Sequence, residues 1–333
     1  MEKITLSHGS GGIQMHRLID SLFLKQLGND VLRLKKDSAV VRFGGKNLAF
    51  TTDSYVVNPI FFPGGDIGML SVYGTVNDLA VCGARPLYLS LGLVIEEGLE
   101  RTILEKITRS INAAAKTAGV KIVTGDTKVV EKGSCDKLFI NTSGIGEICY
   151  KGLSTDKVRC GDSVIISGPI GDHAISVMSR RDGISFAAGV MSDASPLNGL
   201  IGKAMSASKN IRFMRDPTRG GLGTTLNEIV DKMAVGIMLD ESAIPVRSGV
   251  RRASELLGLD PLYLSCEGRV VLVVASMDSH KVLRAIRSDR RGKSAQVIGV
   301  VCAQHKGRVV LRTSSGGKRI VPMMSGEQLP RIC

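Results

Sequence analysis

The sequence predicts an α+β protein of mixed α/β character, built from two domains and a mobile tail. Strand-like and helix-like segments are mixed in both halves of the chain, without strict strand–helix alternation. The 333 residues suffice for two domains with full cores. Short polar residues interrupt the pattern near 150–161, and the chain beyond residue 312 is rich in Gly and Ser. We therefore place the domains at 1–150 and 151–312 and the mobile tail at 313–333.

The first domain opens with a predicted β-hairpin, because apolar and polar residues alternate at 39–43 and again at 48–52. Asp66 is suited to cap a helix that runs to residue 82, where Gly83 ends it. Apolar runs and helical spacing predict the rest of this half: a strand at 87–95, a helix at 100–118 and strands at 121–124 and 137–146.

The second domain restarts with a predicted strand at 163–167 and a helix that ends near residue 180. The same patterns predict helices at 193–208, after Gly221, and at 247–257, with strands at 235–239 and 269–275. A helix to about residue 287 and a final pair of strands complete this domain.

Composition argues against several classes of protein. The formal net charge is +13, but only 4% of the residues are aromatic and none is Trp, so platforms for stacking single-stranded nucleic acid are scarce. We therefore expect no nucleic-acid partner. No run of 18 apolar residues is present and the N-terminus lacks a signal-peptide pattern, so we expect no membrane segment.

The cysteines indicate a reducing compartment. There are seven, an odd number, and none forms a Cys-x-x-Cys pair. This pattern favours neither a disulfide framework nor structural zinc. We expect a cytoplasmic protein with reduced thiols.

The chain ends in a cysteine, Cys333, although chain ends rarely need a sulfur for folding. A thiol there could carry a chemical group into a distant pocket, since a fully extended chain from Pro322 onward reaches roughly 35–40 Å. The alternative is an exposed, unused cysteine. A prenylation motif does not fit, because it would place the sulfur three residues earlier.

Three aspartates form a candidate metal site. We expect Asp53 and Asp126 to follow strands, so their carboxylates would gather at one edge of a sheet, while Asp78 lies inside an apolar helix where an unpaired charge is costly. Carboxylates together with substrate phosphates are the usual ligands of Mg²⁺. The alternatives are turn capping for Asp53 and Asp126 and an exposed helix face for Asp78.

Two glycine-containing segments are candidates for binding phosphate, because glycines let a ligand approach the backbone at the start of a helix. The first is the run from His8 to Gly12, and the second is 215–221, which contains Arg219 and Gly220. Neither is a Walker A loop or a dinucleotide-binding turn. Lys128, two residues after Asp126, could contact the same phosphates or could be a surface charge.

Several motifs together resemble the HypE family of hydrogenase maturation factors. They are HGSGG at 8–12, TTDSYVV at 51–57, FFPGGDIG at 61–68, GTVNDLA at 74–80, TGDTKVV at 124–130 and PRIC at 330–333. The similarity runs from end to end of the chain. This family belongs to the ATP-binding superfamily of aminoimidazole ribonucleotide synthetase and selenophosphate synthetase. The resemblance therefore implies a PurM-like fold, with an N-terminal ATP domain that dimerises through its sheet.

The resemblance also implies a reaction. In this family the carbamoyltransferase HypF loads the terminal thiol, and HypE uses ATP to dehydrate the resulting thiocarboxamide to a thiocyanate. The cyanide passes to iron on a HypC–HypD scaffold, which builds the Fe(CN)₂CO centre of NiFe hydrogenases. For this chain the resemblance implies a homodimer with ATP and Mg²⁺ as cofactors.

The roles carried over from the family fall into three groups. The expected catalytic residues are Cys333, Lys128 and Glu267. The expected metal ligands are Asp53, Asp78 and Asp126. The expected nucleotide-binding residues are His8, Gly9, Ser10, Gly11, Gly12, Asn77, Asp126, Arg219 and Gly220. Cys266, which precedes Glu267, is not expected throughout the family.

Two alternatives remain at this point. A selenophosphate synthetase would need a reactive Cys or selenocysteine followed closely by Lys in the first Gly-rich segment, which here offers His8 and Ser10. A basic, non-catalytic binding protein would leave Asp78 and the terminal thiol unexplained.

Overall fold

The computed structural model describes residues 3–181, 189–231, 233–326, 329 and 331–333. Its strands form two main sheets, one in each half of the chain. The first sheet has five strands in the order β1-β2-β7-β5-β6: β1 Ala39–Phe43, β2 Lys46–Tyr55, β5 Ala84–Glu96, β6 Lys121–Val130 and β7 Leu138–Ile148. A small ribbon comprises β3 Phe61–Phe62 and β4 Gly65–Asp66. The helices of this half are α1 Ile13–Leu18, α2 Leu24–Leu27, α3 Ile67–Val81 and α4 Arg101–Ala118.

Helix α3 is the centre of the N-terminal domain. The Asp66 carboxylate accepts a 2.9 Å hydrogen bond from the backbone N–H of Met69, which confirms the predicted cap. Almost the whole circumference of α3 is buried, because the helix packs against the sheet, α4 and the second domain. Ser71, Thr75 and Asn77 on this helix are therefore buried, whereas Asp78 is half-buried.

The second sheet has seven strands in the order β14-β13-β10-β12-β8-β11-β9. They are β8 Ser163–Ile166, β9 Ile211–Arg215, β10 Gly236–Asp240, β11 Val271–Val274, β12 Gln296–Cys302, β13 Val309–Arg312 and β14 Lys318–Val321. Its helices are α5 Asp172–Met178, α6 Asn198–Ala207, α7 Gly221–Val230, α8 Ser248–Leu257 and α9 Ser279–Arg287. The central strands β8 and β11 are buried on both faces.

Some predicted boundaries were wrong. Strands β2 and β6 extend through Asp53 and Asp126, which we had expected after strand ends, because ladder pairing continues at Asp53 with Thr142 and at Asp126 with Gly92. Helix α6 begins at Asn198, not at 193. Strand β14 lies in the segment expected to be a mobile tail and pairs with β13 along its whole length.

The end of the tail is docked against the N-terminal domain. The backbone N–H groups of Val56 and Asn58 donate to the backbone oxygens of Cys333 and Arg331, both at 3.1 Å. Residues 331–333 therefore pair antiparallel with residues 56–58, directly after β2. Pro330 of the closing motif lies outside the described residues.

The outer face of the first sheet is uncovered in the single chain. Phe50, Ile145 and Tyr88 lie side by side across three strands and are 46%, 40% and 47% exposed. Edge strand β6 is exposed along nearly its whole length. Among the described residues, no helix is both long enough and apolar enough to cross a membrane.

Candidate active site between the two domains

Three carboxylates from separate elements meet in one cluster. Asp37 precedes β1, Asp78 lies on α3 and Asp216 follows β9, and their carboxylate oxygens lie within 4.8 Å of one another. Thr51 Oγ1 donates to Asp78 Oδ2 at 3.0 Å. The arrangement offers several hard oxygen ligands at one point, as a divalent cation such as Mg²⁺ requires.

The cluster carries unfavourable electrostatics of its own. Burial raises the pKa of all three carboxyls, that of Asp216 to about 7, and the neighbouring carboxylates raise the pKa of Asp78 further. Arg215 offsets part of this repulsion through a 2.9 Å ion pair with Asp37. A bound cation would relieve the remainder, so these residues fit a metal ion.

The expected metal ligands separate into two groups. Asp53 lies close enough to Asp78 for its charge to raise the pKa of Asp78, and burial is the main cause of the raised pKa of Asp53 itself. Asp126 lies on exposed strand β6, three strands from β2, or about 14 Å at 4.8 Å per step. Its partner is Lys128, whose Nζ is 2.9 Å from Asp126 Oδ2. Within one chain, Asp126 and Lys128 therefore stand apart from the acidic cluster.

The thiol of Cys333 reaches this region. Cys333 lines a cavity of about 320 Å³ together with Gly9, Ser10, Ser54, Arg219 and Gly220. Burial raises the pKa of the Cys333 thiol to about 12, against the opposing effect of Arg219. The thiol is therefore protonated and a poor nucleophile while it is docked.

Glu267 is the unusual carboxylate of the site. It is 3% exposed, and its Oε1 has no hydrogen-bond partner within the described part of the chain. Burial raises its pKa well above the usual value, and Asp216 and Asp53 raise it further. In its ionised form such a group is a stronger base than an ordinary Glu, which suits a general base.

The backbone around Glu267 is rigidly held. The Asp193 carboxylate accepts from the backbone N–H groups of Glu267 and Gly268, at 3.3 and 3.2 Å. A side chain at position 268 would overlap the Asp193 carbonyl, so only glycine fits. The preceding Cys266 is fully buried and its pKa is raised well above normal, chiefly by burial, so it is a packing thiol and not a reactive one.

Several expected nucleotide-binding residues contact other parts of the polypeptide. The Asn77 amide donates to the carbonyls of Ser195 and Glu267 and accepts from the Leu197 N–H, so it ties α3 to the second domain. The His8 ring nitrogen Nδ1 accepts a 3.1 Å hydrogen bond from the backbone N–H of Thr5 and lies 3.0 Å from the Thr5 hydroxyl.

The glycine-rich segment itself is packed against the chain. Gly11 lies against Arg219, and Gly12 lies against the Met324 carbonyl, which also accepts from the N–H of Ile13 at the start of α1. Gly11 also lines a cavity of about 370 Å³, which shares Lys35, Lys36 and Arg215 with a neighbouring one of about 690 Å³.

Sequence reasoning missed two members of the acidic cluster. Asp216 stood in a loop considered only for its basic residues, and Asp37 followed a basic run. A signal was available for Asp216, since an acidic residue between Arg215 and Pro217 directly after a strand is a candidate ligand. No such signal marks Asp37, because only tertiary packing brings it close to Asp78 and Asp216.

Comparison with known proteins agrees with this architecture. The model of the AIR synthase related protein N-terminal domain matches residues 35–148, and that of the C-terminal domain matches residues 159–312. The carbamoyl dehydratase HypE of Rhizobium leguminosarum bv. viciae is 50% identical over 334 residues, which cover 99% of this chain and 95% of the relative.

Two crystal structures are similar over nearly all of the chain. A hydrogenase maturation protein HypE in complex with ATP has a TM-score of 0.83 and 48% identity, covering 99% of this chain and 100% of that one. A chain of a HypE–HypF complex has a TM-score of 0.87 and 46% identity, covering 92% of this chain and 99% of that one. The chain therefore belongs to the AIR synthase related family and, within it, to the HypE carbamoyl dehydratases.

Proposed function

We propose that this protein dehydrates an S-carbamoyl group carried on Cys333 to a thiocyanate, at the expense of ATP. The observation that carries the proposal is the cavity that Cys333 lines together with Arg219, close enough to Glu267 for that carboxylate to act on the pKa of the thiol. Besides burial, which raises the pKa of the Cys333 thiol, the charge of Arg219 lowers that pKa and the charge of Glu267 raises it. A group attached to this sulfur would lie among these side chains.

The overall reaction converts the S-carbamoyl group and ATP into a thiocyanate, ADP and phosphate. The carbamoyl C–O bond breaks and its oxygen leaves with the phosphoryl group, because an amide oxygen alone is a poor leaving group. Two protons must leave the nitrogen. Glu267, when ionised, is suited to accept one of them, since its raised pKa makes it a strong base and its Oε1 has no other partner in the described part of the chain.

The acidic cluster would hold Mg²⁺. Asp37, Asp78 and Asp216 supply the ligands, with Asp53 close by. When bound, the cation would neutralise polyphosphate charge and orient the phosphoryl group. The basic residues Lys35, Lys36 and Arg215 line the two adjoining cavities and would bind the nucleotide.

Loading of the thiol would take place with the tail outside the pocket. Docked, the Cys333 thiol has a pKa of about 12 and is buried, so it reacts poorly with any carbamoyl donor. A carbamoyltransferase of the HypF type is the expected donor, and an iron-bearing HypC–HypD complex is the expected acceptor of the cyanide.

The active form would be a homodimer joined through the first sheet. The exposed apolar row of Phe50, Ile145 and Tyr88 suits such an interface. A second copy could also bring Asp126 and Lys128, which one chain holds away from its own acidic cluster, to the site of its partner.

The test uses protein carbamoylated on Cys333 and incubated with Mg·ATP. Mass spectrometry of the C-terminal peptide is expected to show loss of one water molecule per ADP formed. The Cys333→Ser protein is the control: it should bind ATP normally and give no dehydrated product. ATP turnover by the carbamoylated protein with the carbamoyl group left intact would contradict the proposal.

A further inference from the structure

We propose that His173 is a positioning residue for the docked tail, and that with Arg181 and Asp136 it forms a latch that holds Cys333 in the pocket. The use of this latch in catalysis rests on the function proposed above. The contacts that define it are independent of that function.

The hydrogen bonds of His173 fix its tautomer. Its Nε2 lies 2.9 Å from the carbonyl oxygen of Ile332, and because a carbonyl can only accept, Nε2 carries the hydrogen. Nδ1 then accepts from the Ser192 hydroxyl at 2.8 Å. The ring is fully buried and packs edge-on against Phe62, so it has a single orientation.

The hydrogen bond from His173 satisfies the Ile332 carbonyl, which takes no part in the backbone pairing of the tail with residues 56–58. The backbone oxygens of Arg331 and Cys333 accept from the N–H groups of Asn58 and Val56. The carbonyl of Ile332, which lies between them in the chain, is instead directed at His173 in a buried region. Without His173 it would be an unpaired buried acceptor. The peptide plane that His173 fixes directly precedes Cys333.

Two further contacts hold the residue before Ile332. Arg181 donates to the Arg331 carbonyl at 3.0 Å and to the Asn58 carbonyl at 3.0 Å, bridging the tail and the sheet edge. The Arg331 guanidinium donates to Asp136 at 2.6 Å. The Ile332 side chain is 4% exposed in the N-terminal core. The latch therefore contacts both the backbone of the last residues and the side chain of Arg331.

A pair of substitutions separates the two hydrogen bonds of His173. In His173→Gln the side-chain amide nitrogen can occupy the place of Nε2 and keep the bond to Ile332. In His173→Asn the shorter amide can replace only Nδ1, so the Ile332 carbonyl loses its donor. Both substitutions bury a similar amide, so they impose a similar cost on the fold.

The readout is the rate at which iodoacetamide alkylates Cys333 in the full-length protein without nucleotide, followed by peptide mass spectrometry. The exposed Cys149 serves as an internal reference. We expect His173→Asn to accelerate alkylation of Cys333 about tenfold, and His173→Gln to change it less than about twofold. The His280→Gln substitution, at an exposed position, should have no effect.

Equal rates in the Asn and Gln variants, or an unchanged rate in the Asn variant, would overturn the proposal. If both variants fail to fold, Asp136→Asn tests the latch at a partly exposed position. It should raise the rate about threefold, and an unchanged rate would contradict the latch. Because the assay needs neither ATP nor a carbamoyl group, its outcome is separate from that of the dehydration test.

Discussion

At the scale of single residues, the candidate active site is built from groups that weaken the fold. Glu267 is buried with an unpaired oxygen, and Asp37, Asp78 and Asp216 crowd together, so burial and mutual repulsion destabilise the ionised forms of these carboxyls in the ligand-free protein. Substitutions that remove one of these carboxyls should therefore lower activity without lowering the stability of the fold.

The Glu267→Gln substitution should lower the rate of dehydration about 10²–10⁴-fold, because it removes the proposed base. It should also raise the melting temperature. Burial raises the pKa of Glu267 in the folded state, so its contribution to stability is lost as the pH rises through that raised pKa. The gain in melting temperature should therefore be larger at alkaline than at acidic pH. If Glu267→Gln instead lowers the melting temperature by the same amount at every pH, Glu267 has a structural role in the fold.

The Asp78→Asn substitution should weaken binding of Mg·ATP by about tenfold or more, since it removes a proposed metal ligand. The ligand-free protein should melt at a higher temperature, because repulsion in the cluster falls. Calorimetry and thermal melts with and without Mg·ATP measure both effects. Asp30→Asn, at an exposed position, is the control. Unchanged affinity would remove Asp78 from the metal site.

The sequence could identify the residues whose chemistry is unusual for their local setting. Asp78 in an apolar helix and Cys333 at the chain end are visible without a fold. Glu267 was expected only by family resemblance, since a turn before a strand is an ordinary place for Glu. His173 and Asp37 could not be identified, because their partners are distant in the chain and meet them only through packing.

At the scale of secondary-structure elements, periodicity located most helices and strands but not their ends. Asp66 caps the start of α3 and Gly119 caps the end of α4, and both caps can be identified in the sequence. Strands β2 and β6 run past polar residues because ladder pairing stabilises them there, and pairing partners cannot be read from one segment. Strand β14, although flanked by Gly and Ser, is stabilised by β13.

The loop that carries Glu267 offers a test at this scale. Gly268→Ala should destabilise the protein by about 1–3 kcal/mol, because the new methyl group would overlap the Asp193 carbonyl. Gly202→Ala, in helix α6 with open space around it, should stabilise by about 0.5–1 kcal/mol. Urea unfolding measures both. Similar changes in the free energy of unfolding in the two variants would show that the loop accommodates the added methyl group without strain.

At the scale of the whole molecule, the position of Lys128 requires a second copy of the chain if this residue is catalytic. In one chain it lies on an exposed edge strand, paired only with Asp126 among the described residues. The exposed apolar row on the same sheet provides the surface through which a partner could approach. The tail, by contrast, docks within its own chain.

Mixing two inactive variants tests this arrangement. If Lys128 acts across the interface, Lys128→Ala and Glu267→Gln proteins should regain about a quarter of wild-type activity when they exchange subunits, since half of the dimers then hold one intact site. Adding Ile145→Lys to both proteins should prevent this recovery by disrupting the interface. Mixtures that remain inactive despite confirmed exchange would place both residues in the same chain's site.

The central claim is that ATP removes the oxygen of a carbamoyl group held by Cys333. The most direct measurement labels that carbamoyl oxygen with a heavy isotope, adds Mg·ATP and follows the label by mass spectrometry. The account predicts one labelled oxygen in each phosphate released, together with a thiocyanate on Cys333. Label recovered in water, or retained on the C-terminal peptide while ATP is consumed, would contradict it.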